Sequence, residues 1–154
     1  MSVRADAERF RRIPLFAECD ETHLQLLAFT SERMTFAAGD AIVRAGEHGE
    51  AGYLIISGTG EVWTAREKGR DTVTTIGPGA FIGELTMIAG LAYPANITAT
   101  ANVTATRVSR VVFGRVVAEF PEFGVRVHRE LARRLDLSLA ELNRLRPLFE
   151  KTPS

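Results

Sequence analysis

Residues 81–99 read FIGELTMIAGLAYPANITA. The run Gly83-Glu84-Leu85 suits a tight turn opening into a short helix, with a glycine that lets the backbone approach a neighbour closely. A turn of this kind can cradle a phosphate and a sugar. Backbone N–H groups at a helix start point outward, and the helix dipole favours an anion there. A phosphate also calls for a cation, yet the stretch holds no arginine or lysine. Tyr93 and Pro94 stand towards its end, before Ala95-Asn96-Ile97-Thr98-Ala99 returns to the alternation of a strand.

The surroundings of this stretch are β-rich. Across residues 33–110, short runs such as AIVRAG, GYLIISG, EVWTAR, TVTTIG and VTATRVS alternate with glycine-containing turns, roughly one every 8–12 residues. That spacing predicts a sandwich or barrel. No fixed residue pattern recurs, so the regularity is that of strands and not of a solenoid. Two helical zones flank it. Residues 5–31 place Phe10, Ile13, Leu15 and Phe16 around Pro14. Asp20 then offers an N-cap for a helix carrying Leu24, Leu26, Leu27 and Phe29. Residues 111–146 read as a short helix ending at Phe120, a helix start at Pro121, and a long amphipathic run. Leu131, Leu135, Ser138, Leu142 and Leu145 follow spacings of 4, 3, 4 and 3 in that run. Such a seam packs on the chain's own sheet or pairs with a second copy as a homodimer.

Composition sets the outer bounds. The 154 residues fit one domain, 1–154, with one sizeable core. Lys+Arg and Asp+Glu number 19 each, which argues against holding nucleic acid by bulk charge. The charged N-terminus lacks the apolar segment of a signal peptide, and no apolar run approaches a membrane span. Cytoplasm is the expected location. The single cysteine, Cys19, excludes an internal disulfide and a cysteine metal cluster, and is expected to be a buried thiol. His23, His48 and His128 fall in three different zones, and no nucleophile elbow occurs. Neither a metal site nor catalysis is expected.

Three local signatures stand in order: Gly46-Glu47-His48-Gly49-Glu50 followed by Tyr53-Leu54-Ile55-Ile56-Ser57-Gly58; Ile76-Gly77-Pro78-Gly79-Ala80-Phe81-Ile82-Gly83-Glu84-Leu85; and Ala95-Asn96-Ile97-Thr98-Ala99. Together, over roughly residues 12–146, they resemble the cyclic nucleotide-binding domain family of the catabolite activator and protein kinase A regulatory-subunit type. The resemblance implies a mainly β fold with flanking helices: a jelly-roll β-roll, N-terminal helices and a long C-terminal helix. It implies a phosphate-binding cassette over residues 81–99. The expected ligand residues are Phe81, Gly83, Glu84, Leu85, Thr86, Tyr93, Pro94 and Ala95, with cyclic AMP or cyclic GMP as the ligand and no other cofactor. Glu84 matches the family glutamate that accepts a hydrogen bond from the ribose hydroxyl.

The family's phosphate arginine lies nine positions after that glutamate, and here the position is Tyr93, followed by Pro94. Tyrosine brings no charge, and proline brings no N–H. Loss of a buried arginine–phosphate pair costs ~3–5 kcal/mol, or about two to three orders of magnitude in affinity, unless another cation substitutes. Arg44 is the candidate substitute, whereas Arg66, Lys68 and Arg70 fit a solvated hairpin tip. In the catabolite activator type, Ala-Arg-Arg-Leu on the long helix precedes, after two residues, a threonine that meets the adenine. Ala132-Arg133-Arg134-Leu135 here leads to Ser138, which either caps a purine or bonds back to its own helix.

Two functions are therefore expected to compete: a non-enzymatic sensor of a small ligand, and a ligand-free interaction or dimerisation scaffold regulating a partner protein. The chain reaches Ser154 about eight residues past the long helix, which leaves no room for a recognition helix, so no direct DNA contact is expected.

Overall fold

The computed structural model describes residues 3–134. Helix α1 (Val3–Arg11) leads through a 3-10 turn (Pro14–Phe16) to α2 (Glu21–Thr30). The strands follow: β1 (Glu32–Phe36), β2 (Ala41–Val43), β3 (Ala51–Ser57), β4 (Gly60–Ala65), β5 (Arg70–Ile76) and β6 (Phe81–Ile82). Short helix α3 (Glu84–Ala89) interrupts them before β7 (Asn96–Ala99) and β8 (Val103–Ser109). Helix α4 (Arg110–Glu119) runs on, and a further helix, α5, is described over 121–134. The strands form two four-stranded antiparallel sheets, ordered β1-β8-β3-β6 and β2-β7-β4-β5. This is the expected jelly-roll β-roll with helices at both ends.

Strand alternation divides the interior in two. Successive residues of a strand face opposite sides of the sheet. Ile55 of β3 joins Ile42, Val43, Ile97, Val103 and Ala105 between the sheets, while Leu54 turns to the helices. The helical core gathers Phe10, Phe16, Leu24, Leu27, Phe113, Phe123 and Val127. Phe16, from the 3-10 turn, is its hub. Its ring meets Phe10 and Phe81 edge-on, both at 5.8 Å, and stacks on Phe123 at 6.1 Å. One ring thus joins the N-terminal helices, the strand that opens the cassette, and α5.

Some local expectations change in detail. Asp20 is the N-cap of α2 but makes no side-chain capping bond; its carboxylate instead meets Arg126 of α5 at 3.2 Å. Phe29, expected on the apolar face of α2, is 73% exposed, because α1 and α4 cover the opposite side of that helix. Leu131 packs on the helical core, and the rest of the 4-3-4-3 seam lies outside the described residues. Among the described residues no helix is long and apolar enough to cross a membrane.

Truncating a large buried aromatic at such a junction leaves a cavity. Phe16→Ala is expected to lower stability by about 3–5 kcal/mol in urea unfolding. A loss below about 1 kcal/mol would contradict the hub assignment.

Candidate ligand site around the cassette

The cassette hangs from β6, which pairs with the middle of β3 through Tyr53↔Ile82 and Leu54↔Phe81. Gly83 then turns the chain with φ +79°, a left-handed value that favours glycine. The position has no room either: a Cβ there would lie 2.8 Å from the Ala51 carbonyl oxygen and 2.9 Å from the Tyr93 ring. Helix α3 has six residues and ends at Gly90, again left-handed at φ +70°. The Thr86 hydroxyl, buried, donates to the Leu91 carbonyl at 2.7 Å and closes the loop behind the helix. Asn96 accepts from the Ala45 N–H at 2.9 Å, which ties the end of the cassette to the segment after β2.

Tyr93 lies inside this frame. It is 5% exposed and belongs to the core between the sheets. Its hydroxyl donates to the Ala51 carbonyl at 2.7 Å. Its backbone N–H donates to the Glu47 carbonyl at 3.1 Å, and its carbonyl accepts from the Gly46 N–H at 2.9 Å. The ring packs so closely on Gly49 that any side chain at that position would overlap it. Burial, reinforced by Tyr53, pushes the hydroxyl up to about 12. A neutral, hydrogen-bonded phenol thus fills the space between the cassette and the segment leading into β3.

What stays open is a cavity of about 490 Å³ beside Tyr93, walled by Phe81, Glu84, Leu85, Leu91, Ala92 and Pro94, with Gly83 and Thr86 completing it. Its walls are mostly apolar, and Leu85 and Leu91 are 40% and 51% exposed at its rim. Among the described residues no arginine, lysine or histidine lines it. A cation stands one step behind: Arg134 of α5 donates to the Glu84 carboxylate at 2.6 Å, and its Nε lies 3.7 Å from Glu130. The cassette wall and the C-terminal helix are therefore joined through Glu84.

The structure gathers Phe81, Gly83, Glu84, Leu85, Thr86 and Pro94 around one cavity, with Tyr93 buried behind it. Ala95, half-buried, sits between Pro94 and β7, and Ser138 lies outside the described residues. Arg44, the candidate substitute cation, is exposed and lines a different depression with Trp63 and Arg70. It follows the last residue of β2 and stands beside Asn96 and Thr98 at the end of the cassette, and it does not line the cavity at Glu84. Arg66 pairs with Asp71 at 2.8 Å at the exposed β4–β5 hairpin, as the solvated reading expects, and Arg70 covers Trp63 at 4.1 Å. Sequence reading missed three participants: Arg134 as the partner of Glu84, Gly49 as the floor under Tyr93, and Leu91 as a cavity wall.

The β-roll thus carries a strand-linking cassette that frames a cavity of ligand size, with a helix bonded to the cavity wall. The family model described as the cyclic nucleotide-binding domain matches residues 33–120, and the chain belongs to that family. It is similar to a CRP-like cAMP-activated global transcriptional regulator of Mycobacterium tuberculosis, 28% identical over 129 residues that cover 83% of this chain and 58% of the regulator. The chain thus spans a little over half the length of that relative. Among solved structures, a cyclic nucleotide-binding-like protein from Brucella abortus is 31% identical with a TM-score of 0.70, covering 74% of this chain and 98% of that one. The N-terminal domain of a transcriptional regulator from Streptomyces coelicolor is 25% identical with a TM-score of 0.81, covering 87% and 94%.

Two outcomes follow for Tyr93. Tyr93→Phe keeps the ring and leaves the buried Ala51 carbonyl short of its donor, so stability is expected to fall by about 1–3 kcal/mol. The folded-state value of Tyr93 lies above its ordinary 10.0, so the folded state favours the protonated phenol. Wild-type stability should therefore hold up to about pH 10 on account of this group and fall between about 10 and 12. Cys19, raised by burial from 9.0 to about 11, adds a loss that begins near pH 9. Chemical denaturation against pH checks both, because the Tyr93→Phe variant should lack the upper component. Gly49→Ala places a methyl against the Tyr93 ring and is expected to cost at least about 1–3 kcal/mol by the same measurement.

Proposed function

We propose that the chain is a non-enzymatic regulatory module that senses a small ligand in the cassette cavity and reports its presence through the C-terminal helix. The single observation that carries this reading is the 2.6 Å bond from Arg134 to Glu84. Glu84 is both a wall of the cavity and the attachment point of α5. A ligand hydroxyl that bonds to Glu84 competes with Arg134 or reorients it. Occupancy thereby becomes a change in how α5 is held, which is a population shift between two packings. The output passes to a second copy or to a partner protein through that helix.

The ligand is not held as a cyclic phosphate by an arginine. Tyr93 supplies no charge, Pro94 supplies no N–H, and the cavity walls are apolar. Cyclic AMP and cyclic GMP are therefore weak ligands of this chain. A ring-bearing molecule with a hydroxyl directed to Glu84 fits the walls better. The second reading, a ligand-free scaffold, draws on a different observation. Tyr93 already binds the cassette to β3 and to the segment before it, so the roll keeps its shape with nothing bound.

Calorimetric titration with cyclic AMP and cyclic GMP, on protein freed of carried-over ligand, tests the affinity claim. Dissociation constants no tighter than about 0.1 mM are expected, and micromolar binding would sink it. The coupling claim is tested by Glu84→Gln, which keeps the shape and removes the charge. Loss of this partly exposed pair should cost only about 1 kcal/mol but speed amide hydrogen exchange in 121–134. Unchanged exchange there would remove the route from cavity to helix.

A further inference from the structure

We infer that the chain carries a second ligand site, on the other side of α3 from the cassette cavity, suited to a small apolar monocarboxylic acid. A cavity of about 330 Å³ lies between α3, α4 and α5. Met87 and Ile88 of α3 and Phe113 and Val117 of α4 give it an apolar interior. Arg110, Glu50 and His128 provide its polar groups. Its volume is in the range of small-molecule sites, and it opens to solvent.

Gly114 strengthens the reading. It sits in the middle of α4, where glycine is a poor helix former. Its φ is not positive, and a Cβ built on it would meet nothing within 4 Å. Neither backbone conformation nor close packing asks for a glycine. Arg110, Phe113, Gly114 and Val117 form one stripe of the helix along that cavity, and the exposed Gly114 leaves its mouth uncovered.

The polar groups select the ligand. Arg110 begins α4, and its N–H donates to the Glu50 carbonyl at 2.6 Å. Its guanidinium rests over Gly90: a Cβ on that glycine would lie 2.9 Å from the guanidinium carbon. Among the described residues it has no carboxylate partner. A guanidinium in this position matches a carboxylate by two parallel N–H···O bonds. With one arginine as its cation, the site matches a single carboxylate better than a multiply charged phosphate. His128 Nδ1 lies 2.7 Å from the Gly124 carbonyl, which leaves Nε2 for the ligand or for water. The apolar body of the acid then lies against Met87, Phe113 and Val117. The site shares α3 with the cassette cavity, so each ligand changes the setting of the other's wall.

The test uses hydrocinnamate as the probe and its neutral amide, hydrocinnamamide, as the control, followed by calorimetry and by heteronuclear NMR of the full chain. Saturable binding of the acid below about 1 mM is expected, with the amide at least tenfold weaker. Arg110→Gln should weaken the acid at least tenfold and leave the amide unchanged. Gly114→Leu covers the mouth of the cavity and improves the helix, so it should weaken binding at least tenfold without lowering the melting temperature. NMR shifts should cluster at Met87, Phe113 and Val117. No saturation up to about 10 mM, equal affinity for acid and amide, or shifts gathered at Leu91 and Pro94 would each overturn the inference.

Discussion

Every part of the cassette region depends on the seat of one phenol. The Tyr93 hydroxyl holds the Ala51 carbonyl at 2.7 Å, its backbone is bonded to Gly46 and Glu47, and its ring lies on Gly49 and Gly83. Where a charged ligand would draw cassette and strand together, it would do so only while bound and at the cost of its own translational freedom. A covalently attached side chain carries no such cost and is always present. Both glycines are needed for the seat, since a side chain on either would meet the ring. The resting geometry of the cassette is in this way a property of the chain itself.

That geometry is passed outward along two contacts of different kinds. The aromatic line Phe81–Phe16–Phe123 runs from the first residue of the cassette to α5 through the densest part of the helical core. Packed rings resist compression, so a shift of β6 is felt at α5. The Glu84–Arg134 bond connects the same two elements by charge, at a site partly open to solvent. The first contact fixes relative position. The second is exchangeable, because water competes for the same partly exposed carboxylate. A regulatory domain needs both, a stiff frame and one bond that can change partners.

Helix α3 divides the chemistry of this end of the molecule. Glu84, Leu85 and Thr86 face a cavity whose walls lack a described cation, whereas Met87 and Ile88 face one that holds the Arg110 guanidinium. The positive charge that the cassette lacks is thus supplied by Arg110 of α4, whose guanidinium rests against Gly90 at the end of α3. The three histidines are spread over unrelated settings: His23 lies against Phe120 at 4.4 Å, His48 Nδ1 is 3.1 Å from the Gly90 carbonyl, and His128 is bonded to Gly124.

The sequence by itself determined a β-rich zone and its limits, and the resemblance carried by its motifs implied the β-roll. Period-two runs bounded by glycines placed strands across 33–110, and the structure runs from Glu32 to Ser109. It also located the cassette, because Gly83 and the small helix after it are local features that backbone conformation demands. The resemblance named Tyr93 and Pro94 as the point of departure, since the family's register counted from Glu84 needs no three-dimensional information. Tertiary structure alone decided where side chains lie once strands and helices pack. Tyr93 turned inward and found the Ala51 carbonyl 42 residues away; Arg134 met Glu84 across 50 residues; Arg44 and Phe29 faced solvent. Periodicity constrains neighbours a few residues apart, where the covalent chain fixes spacing. Which distant groups meet is set by packing and by the need to satisfy buried polar atoms, and a linear pattern holds no record of either.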